Sequence, residues 1–141
     1  MRAERGHAAV ELALAIGVLM IPAAVAVLGF GPWSERSVLA GAAASEAARA
    51  AVISLSTSAG DQGAAEISAN YGLDAIEMRL GWCGAVPAAG GTGTCAMTRG
   101  AIVEVTVDVW VPLVSTPWGA IGGVWVSRSH AESIDLYRSL G

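Results

Sequence analysis

The sequence predicts an α+β protein: an N-terminal transmembrane helix, then an alanine-rich helix packed on a three-stranded antiparallel sheet. Three observations carry this. No charged residue occurs between Leu12 and Ser34. Residues 34–55 are dominated by alanine and contain no proline. Further on, the apolar period switches to two, most plainly at Val103, Val105, Val107, Val109 and Val111, the spacing of one buried strand face.

The first element is set by length. At about 1.5 Å per residue, a helix of about 20 residues crosses the ~30 Å hydrocarbon core. Leu14, Ile16, Val18, Leu19, Ile21, Val25, Val27, Leu28 and Phe30 supply its apolar surface, and Trp33 falls where interfacial aromatics concentrate. The run is longer than the ~7–15 residues of a signal-peptide core. Arg2 and Arg5 precede it, whereas Glu35 and Arg36 follow it and nearly cancel. The positive-inside rule therefore predicts a cytoplasmic N-terminus and an exported C-terminal domain. Pro22 predicts a kink, and Gly29, Gly31 and Pro32 predict a bend or break at the exit.

In the following helix, Val38, Ala42, Ser45, Arg49 and Val52 fall on one helical face, and Leu39, Ala43, Ala50 and Ile53 on another. Both are small enough for close packing. Glu46 and Arg49 are spaced to pair on the surface. A Ser/Thr/Gly breaker over residues 54–60 leads to Asp61, the expected N-cap of a short helix carrying Ile67 and Tyr71 and ended by Gly72.

Three strands are expected after that. In the first, Ile76, Met78, Leu80 and Trp82 alternate with Glu77, Arg79 and Gly81. In the second, the valine row opposes Glu104, Thr106, Asp108 and Trp110, and Pro112 and Pro117 are expected to end the strand and shape a turn at Trp118 and Gly119. The third runs from about Gly123 to Leu136, with Val124, Val126, Arg128 and His130 on one face. The Gly-Gly pairs at 90–91 and 122–123 read as turns, since no phosphate-loop lysine accompanies them.

Composition narrows the chemistry. The 141 residues are 54% hydrophobic, with mean hydropathy +0.56. Charged residues make up only 14%, against ~25% in globular chains. Every basic residue is an arginine and the net charge is −4, so nucleic-acid binding is not expected. Cys83 and Cys95 stand in a Gly/Ala/Thr-rich loop. Their spacing is not that of a redox or zinc motif, and His7 and His130 are the only histidines. A structural disulfide in an oxidising compartment is expected, in preference to two free thiols. No metal site, cofactor or catalytic set is legible: His130 has serine neighbours but no nucleophile elbow. The expectation is that the protein is not an enzyme. Trp82, Trp110, Trp118 and Trp125 could line a carbohydrate patch or a subunit contact.

One residue resists the plain-anchor reading. Glu11 puts a carboxylate at the mouth of the apolar run, where a charge costs ~2.5–3.5 kcal/mol on insertion scales and implies a partner. Gly6 followed by Glu11 and a hydrophobic stretch resembles the processing site of type IV-like prepilins. The fuller string Arg5-Gly6-His7-Ala8-Ala9-Val10-Glu11-Leu12, running into an Ala/Leu/Val segment with a proline, resembles the start of TadE-like minor pilins (pseudopilins) of Tad pilus systems. Leu12 stands where that family often has an aromatic residue.

The resemblance implies a pilin-like fold and a prepilin peptidase cutting between Gly6 and His7. It divides the chain into a leader (1–6), a transmembrane assembly helix (7–33) and an extracytoplasmic α+β domain with a disulfide loop (34–141). Glu11 would pair with the new α-amine of His7 on a neighbouring subunit. The partners implied are other pilin subunits, the Tad membrane assembly machinery, the peptidase and membrane lipid. The alternative is an unprocessed, single-pass anchored envelope domain that binds a protein or polysaccharide.

Overall fold

The computed structural model describes residues 4–87 and 93–137. The chain divides into two compact units, Met1–Pro32 and Trp33–Gly141. A single helix, α1 (Glu4–Ser54), contributes to both. The expected break at Gly29, Gly31 and Pro32 is absent, because helical structure continues through both Pro22 and Pro32. Each proline forfeits one backbone hydrogen bond and each glycine costs about 1 kcal/mol relative to alanine. That is less than the cost of unpairing a whole turn in apolar surroundings.

In the first unit most apolar side chains are exposed. Val10, Leu12, Leu14, Val18, Leu19, Ile21, Val27, Leu28 and Phe30 are all more than half exposed. An 18-residue window reaches a mean hydropathy of 2.5 with none of it buried, so this helix is long and apolar enough to cross a membrane. Residues 1–3, including Arg2, lie outside the described residues.

The second unit is a layer of helix on a layer of sheet. It holds the rest of α1, α2 (Thr57–Asn70), and a meander of β1 (Met78–Trp82), β2 (Ile102–Thr116) and β3 (Gly119–Ser133), all antiparallel in the order β1-β2-β3. The α+β class and the three-stranded sheet are as expected. Val103, Val105, Val107 and Val109 are fully buried, and they share a core with Leu39, Ala40, Ala43, Ala44, Ala47, Ala48, Ala51 and Val52. The buried stripe of α1 thus takes Leu39 and Ala43 from one expected face and Val52 from the other, while Val38 and Ile53 are exposed. Glu46 and Arg49 are exposed and form no ion pair among the described residues.

Several boundaries differ from expectation: β1 begins at Met78 instead of Ile76, and β3 ends at Ser133 instead of Leu136. The second helix begins at Thr57, so Gly60 lies inside it and Asp61 does not cap it; Ser56 holds the N-cap position in extended conformation. Asp61 instead accepts a hydrogen bond from Trp82 Nε1 at 2.9 Å. Trp82 is 3% exposed and sits on Gly60, where a Cβ would stand 2.3 Å from the indole. The glycine that looked like a breaker is therefore the seat of the largest core side chain.

β2 does not stop at Pro112 but pairs with β3 as far as Thr116↔Gly119. Trp110 N donates to Glu77 O, so even-numbered residues of β2 turn their peptide groups toward β1. β1 covers only Val105 to Val109, so Pro112 lacks its N–H on an edge that has no acceptor, where proline is tolerated. Consequently β3 starts at Gly119, and Gly122 and Gly123 are strand residues rather than a turn. The pair at 90–91 lies outside the described residues.

Trp82→Ala should lower the unfolding free energy of the full chain in micelles by about 3–5 kcal/mol, and Gly60→Val by about 1–3 kcal/mol through overpacking. Urea titration followed by tryptophan emission measures both; unchanged midpoints would show that the indole does not occupy this seat.

Candidate functional site

The residues singled out in the sequence fall in three places. Gly6, His7 and Glu11 lie in the opening turns of α1. Glycine weakens a helix by about 1 kcal/mol relative to alanine, so Gly6 locally loosens the helix beside the Gly6–His7 peptide. His7 and Glu11 are four apart, which places them on the same side of the helix. Glu11 is exposed among apolar neighbours and makes no ion pair among the described residues.

Cys83 and Cys95 form the expected disulfide, with Cα atoms 5.4 Å apart, inside the normal range for the bond. Cys83 N donates to Glu104 O, which ties the start of the loop to the end of the β1–β2 ladder. Leu55, Ser56 and Thr57 line a shallow cavity together with Gly93, Thr94, Cys95 and Met97. The bond therefore holds the loop against the α1–α2 corner.

The third place is the sheet face turned away from the valine row. Register sets Arg79 opposite Asp108, Asp108 opposite Ser127 and Trp110 opposite Trp125. Asp108 is 7% exposed, and its Oδ1 accepts a hydrogen bond from Ser127 Oγ at 2.6 Å. The Trp110 and Trp125 rings meet edge-to-face with centroids 5.2 Å apart. The Arg79 guanidinium carbon lies 4.0 Å from the centroid of the Trp125 ring, a cation–π contact worth about 0.5–1 kcal/mol at an exposed site. Arg79 makes no ion pair among the described residues. A Cβ on Gly123 would stand 2.2 Å from the Trp110 ring, so this glycine lets the indole lie flat on β3. Ile76, Glu77 and Ala120 complete a cavity of about 520 Å³. Glu77 Oε2 lies 3.6 Å from Arg36 Nη1 and accepts from Asp74 N at 3.3 Å, so its carboxylate is partly committed.

Of the four tryptophans considered as a patch, two come together. Trp82 is in the core and Trp118 is alone at the β2–β3 turn, 92% exposed. Arg79 and Gly123 were not singled out, because their relation to the tryptophans depends on strand register. Their even spacing from Gly81 and Trp125 was the only signal. His130 is exposed on the face of Arg128, whose Nη2 donates to Ser37 Oγ of α1. Among the described residues no three His, Cys, Asp or Glu side chains gather to hold a metal ion. Compared with protein-family models, curated proteins and solved structures, the chain matches none.

Reducing Cys83–Cys95 should lower the stability of the second unit by about 3 kcal/mol, on the chain-entropy estimate for a loop of this size. Denaturant titration with and without a thiol reductant reads this directly. Gly123→Val should displace Trp110 and abolish the near-ultraviolet dichroism of the coupled indoles while leaving far-ultraviolet dichroism in place.

Proposed function

We propose that the chain is a minor pilin or pseudopilin of the TadE-like kind, processed after Gly6 and assembled through its apolar helix into or at the tip of a Tad-type surface pilus. In this reading the N-terminus faces the cytoplasm, the second unit is outside the cell, and the protein performs no catalysis. The observation that carries it is Glu11: a carboxylate at the start of a helix whose apolar side chains are exposed on every side. Such a helix has to be surrounded by lipid or by other helices. In the second setting a buried acid opposite a cationic amine offsets part of the desolvation of both, and a subunit arriving without its partner is penalised. Gly6 and its place in the opening turn support cleavage there, and the meander under a helix supports a pilin-like plan.

The face built by Arg79, Trp110 and Trp125 favours a second reading, an unprocessed anchored domain that binds an envelope polymer or protein. The two readings differ at the N-terminus. N-terminal sequencing of the protein from its native membrane should find His7 first, and Gly6→Leu should leave only the longer species. Glu11→Ala should preserve cleavage but remove the protein from sheared surface filaments. An intact N-terminus in both proteins selects the anchor instead.

A further inference from the structure

The β2–β3 hairpin outruns the rest of the sheet. β1 flanks β2 only from Val105 to Val109, whereas β2 and β3 continue as a two-stranded ribbon to Thr116↔Gly119. No charged residue occurs between Asp108 and Arg128. Leu113, Val114, Trp118 and Ile121 are each at least half exposed. Leu113 has the parity of the valine row, while Val114 and its partner Ile121 have the opposite parity. Leu113 thus exposes apolar surface on one face of the ribbon, and Val114 and Ile121 expose it on the other. One flat protein surface would cover one face; a fluid apolar medium surrounds both.

The direction of the ribbon identifies that medium. The end of α1 at Leu55 lies against Cys95, whose disulfide partner Cys83 bonds to Glu104 at the start of β2. At the other end of the same layer, Arg36 meets Glu77, whose carbonyl accepts from Trp110. β2 therefore runs toward the end of the second unit at which α1 enters it. The residues immediately before that entry are the uncharged apolar run. If that run spans a bilayer, the chain itself ties this end of the unit to a membrane surface.

Behind the tip the composition continues in the order of an interfacial wedge. Trp110 and Trp125 stand at the root of the ribbon, and Arg79 lies stacked on Trp125 with its nitrogens free of any carboxylate among the described residues. Aromatic side chains concentrate at headgroup level and arginines near the surface favour anionic lipid. We propose that the β2–β3 hairpin is a second membrane contact of this protein: Leu113, Val114, Trp118 and Ile121 enter the acyl boundary of a phospholipid bilayer, Trp110 and Trp125 sit among headgroups, and Arg79 pairs with lipid phosphate. From Leu113 to the turn the ribbon is about 14 Å long at ~3.4 Å per residue, enough for the ~5–10 Å depth of interfacial segments. Its edges still carry unpaired peptide groups, which confines it to the hydrated boundary and excludes the hydrocarbon centre. The proposal rests on the apolar half of α1 being a bilayer span.

The test uses the full chain, with Cys83–Cys95 intact, in nanodiscs of phosphatidylcholine and phosphatidylglycerol. Single cysteines replacing Leu19, Trp118 and Ser133 are spin-labelled, and their accessibility to oxygen and to a water-soluble nickel chelate is compared. Labels at 118 and 19 should both favour oxygen, and the label at 133 should favour nickel. An aqueous signature at 118 with a lipid signature at 19 overturns the hairpin contact and leaves the span standing. An aqueous signature at 19 removes the span and the proposal with it. Shielding of 118 from both reagents overturns the proposal in favour of a protein partner. Without a label at the tip, brominated lipid should quench the unmodified chain more than Trp118→Phe; equal fractional quenching overturns the proposal.

Discussion

The contact between the valine row of β2 and the alanine stripe of α1 fixes the rest of the second unit. Val103, Val105, Val107 and Val109 are completely enclosed, and so are Ala40, Ala43, Ala44, Ala47, Ala48 and Ala51. Alanine presents almost no relief, so the helix approaches the sheet closely and the stiff, branched valines fill the gap. Neither side supplies a large interlocking side chain along most of the contact. Trp82 closes one end, lying on Gly60 and bonded to Asp61, and Arg128 reaches Ser37 nearer the other. α2 is held by the first of these ends, which explains why its sequence contains so little apolar surface of its own.

How much of this was legible follows from what each signal reports. A period of two over five valines needs no knowledge of partners, so the buried face of β2 could be read directly, and a helix long and apolar enough to cross a membrane declares itself by length and absence of charge. Proline and glycine were less informative. Pro112 is a strand ender only if its missing N–H faces a neighbour, and β1 is too short to be that neighbour. Gly60 looked like a helix breaker, but a glycine under an indole is selected for room rather than for flexibility, and nothing local separates the two. Gly6 and Glu11 were found from a local pattern, and the structure adds their place in the opening turns of α1. The Arg79, Trp110 and Trp125 cluster could not be assembled beforehand, because it joins three strands through registers that loop lengths do not reveal.

The two units solve the same compositional problem in different ways. With 14% charged residues, the chain has too little polar surface to solvate itself as an ordinary globule does. In the second unit, apolar surface is hidden by pairing small residues with branched ones. In the first, a single helix leaves its whole circumference apolar, and only its surroundings can satisfy it. Under the proposed pilin reading, Glu11 at the head of the apolar run gives orientation and register to contacts that the hydrocarbon side chains alone would leave degenerate.

Register is also the problem of the β2–β3 hairpin, and its outer face answers it. A long ladder rich in valine and glycine has few features to prevent slippage. A shift of β3 by one residue would turn Ser127 toward the alanine stripe and Arg128 away from Ser37, and Asp108 would lose the hydroxyl that now donates to it. A shift of two would keep the faces but would separate Trp110 from Trp125 and take Gly123 from beneath the Trp110 ring, where no larger residue fits. The polar pair excludes odd shifts and the aromatic pair excludes even ones. The Trp–Arg cavity is therefore more than an appended surface feature. The side chains that shape it hold β3 in the one alignment that brings Val126 and Arg128 to the face of α1, so the Trp–Arg face and the core are specified by the same set of cross-strand contacts.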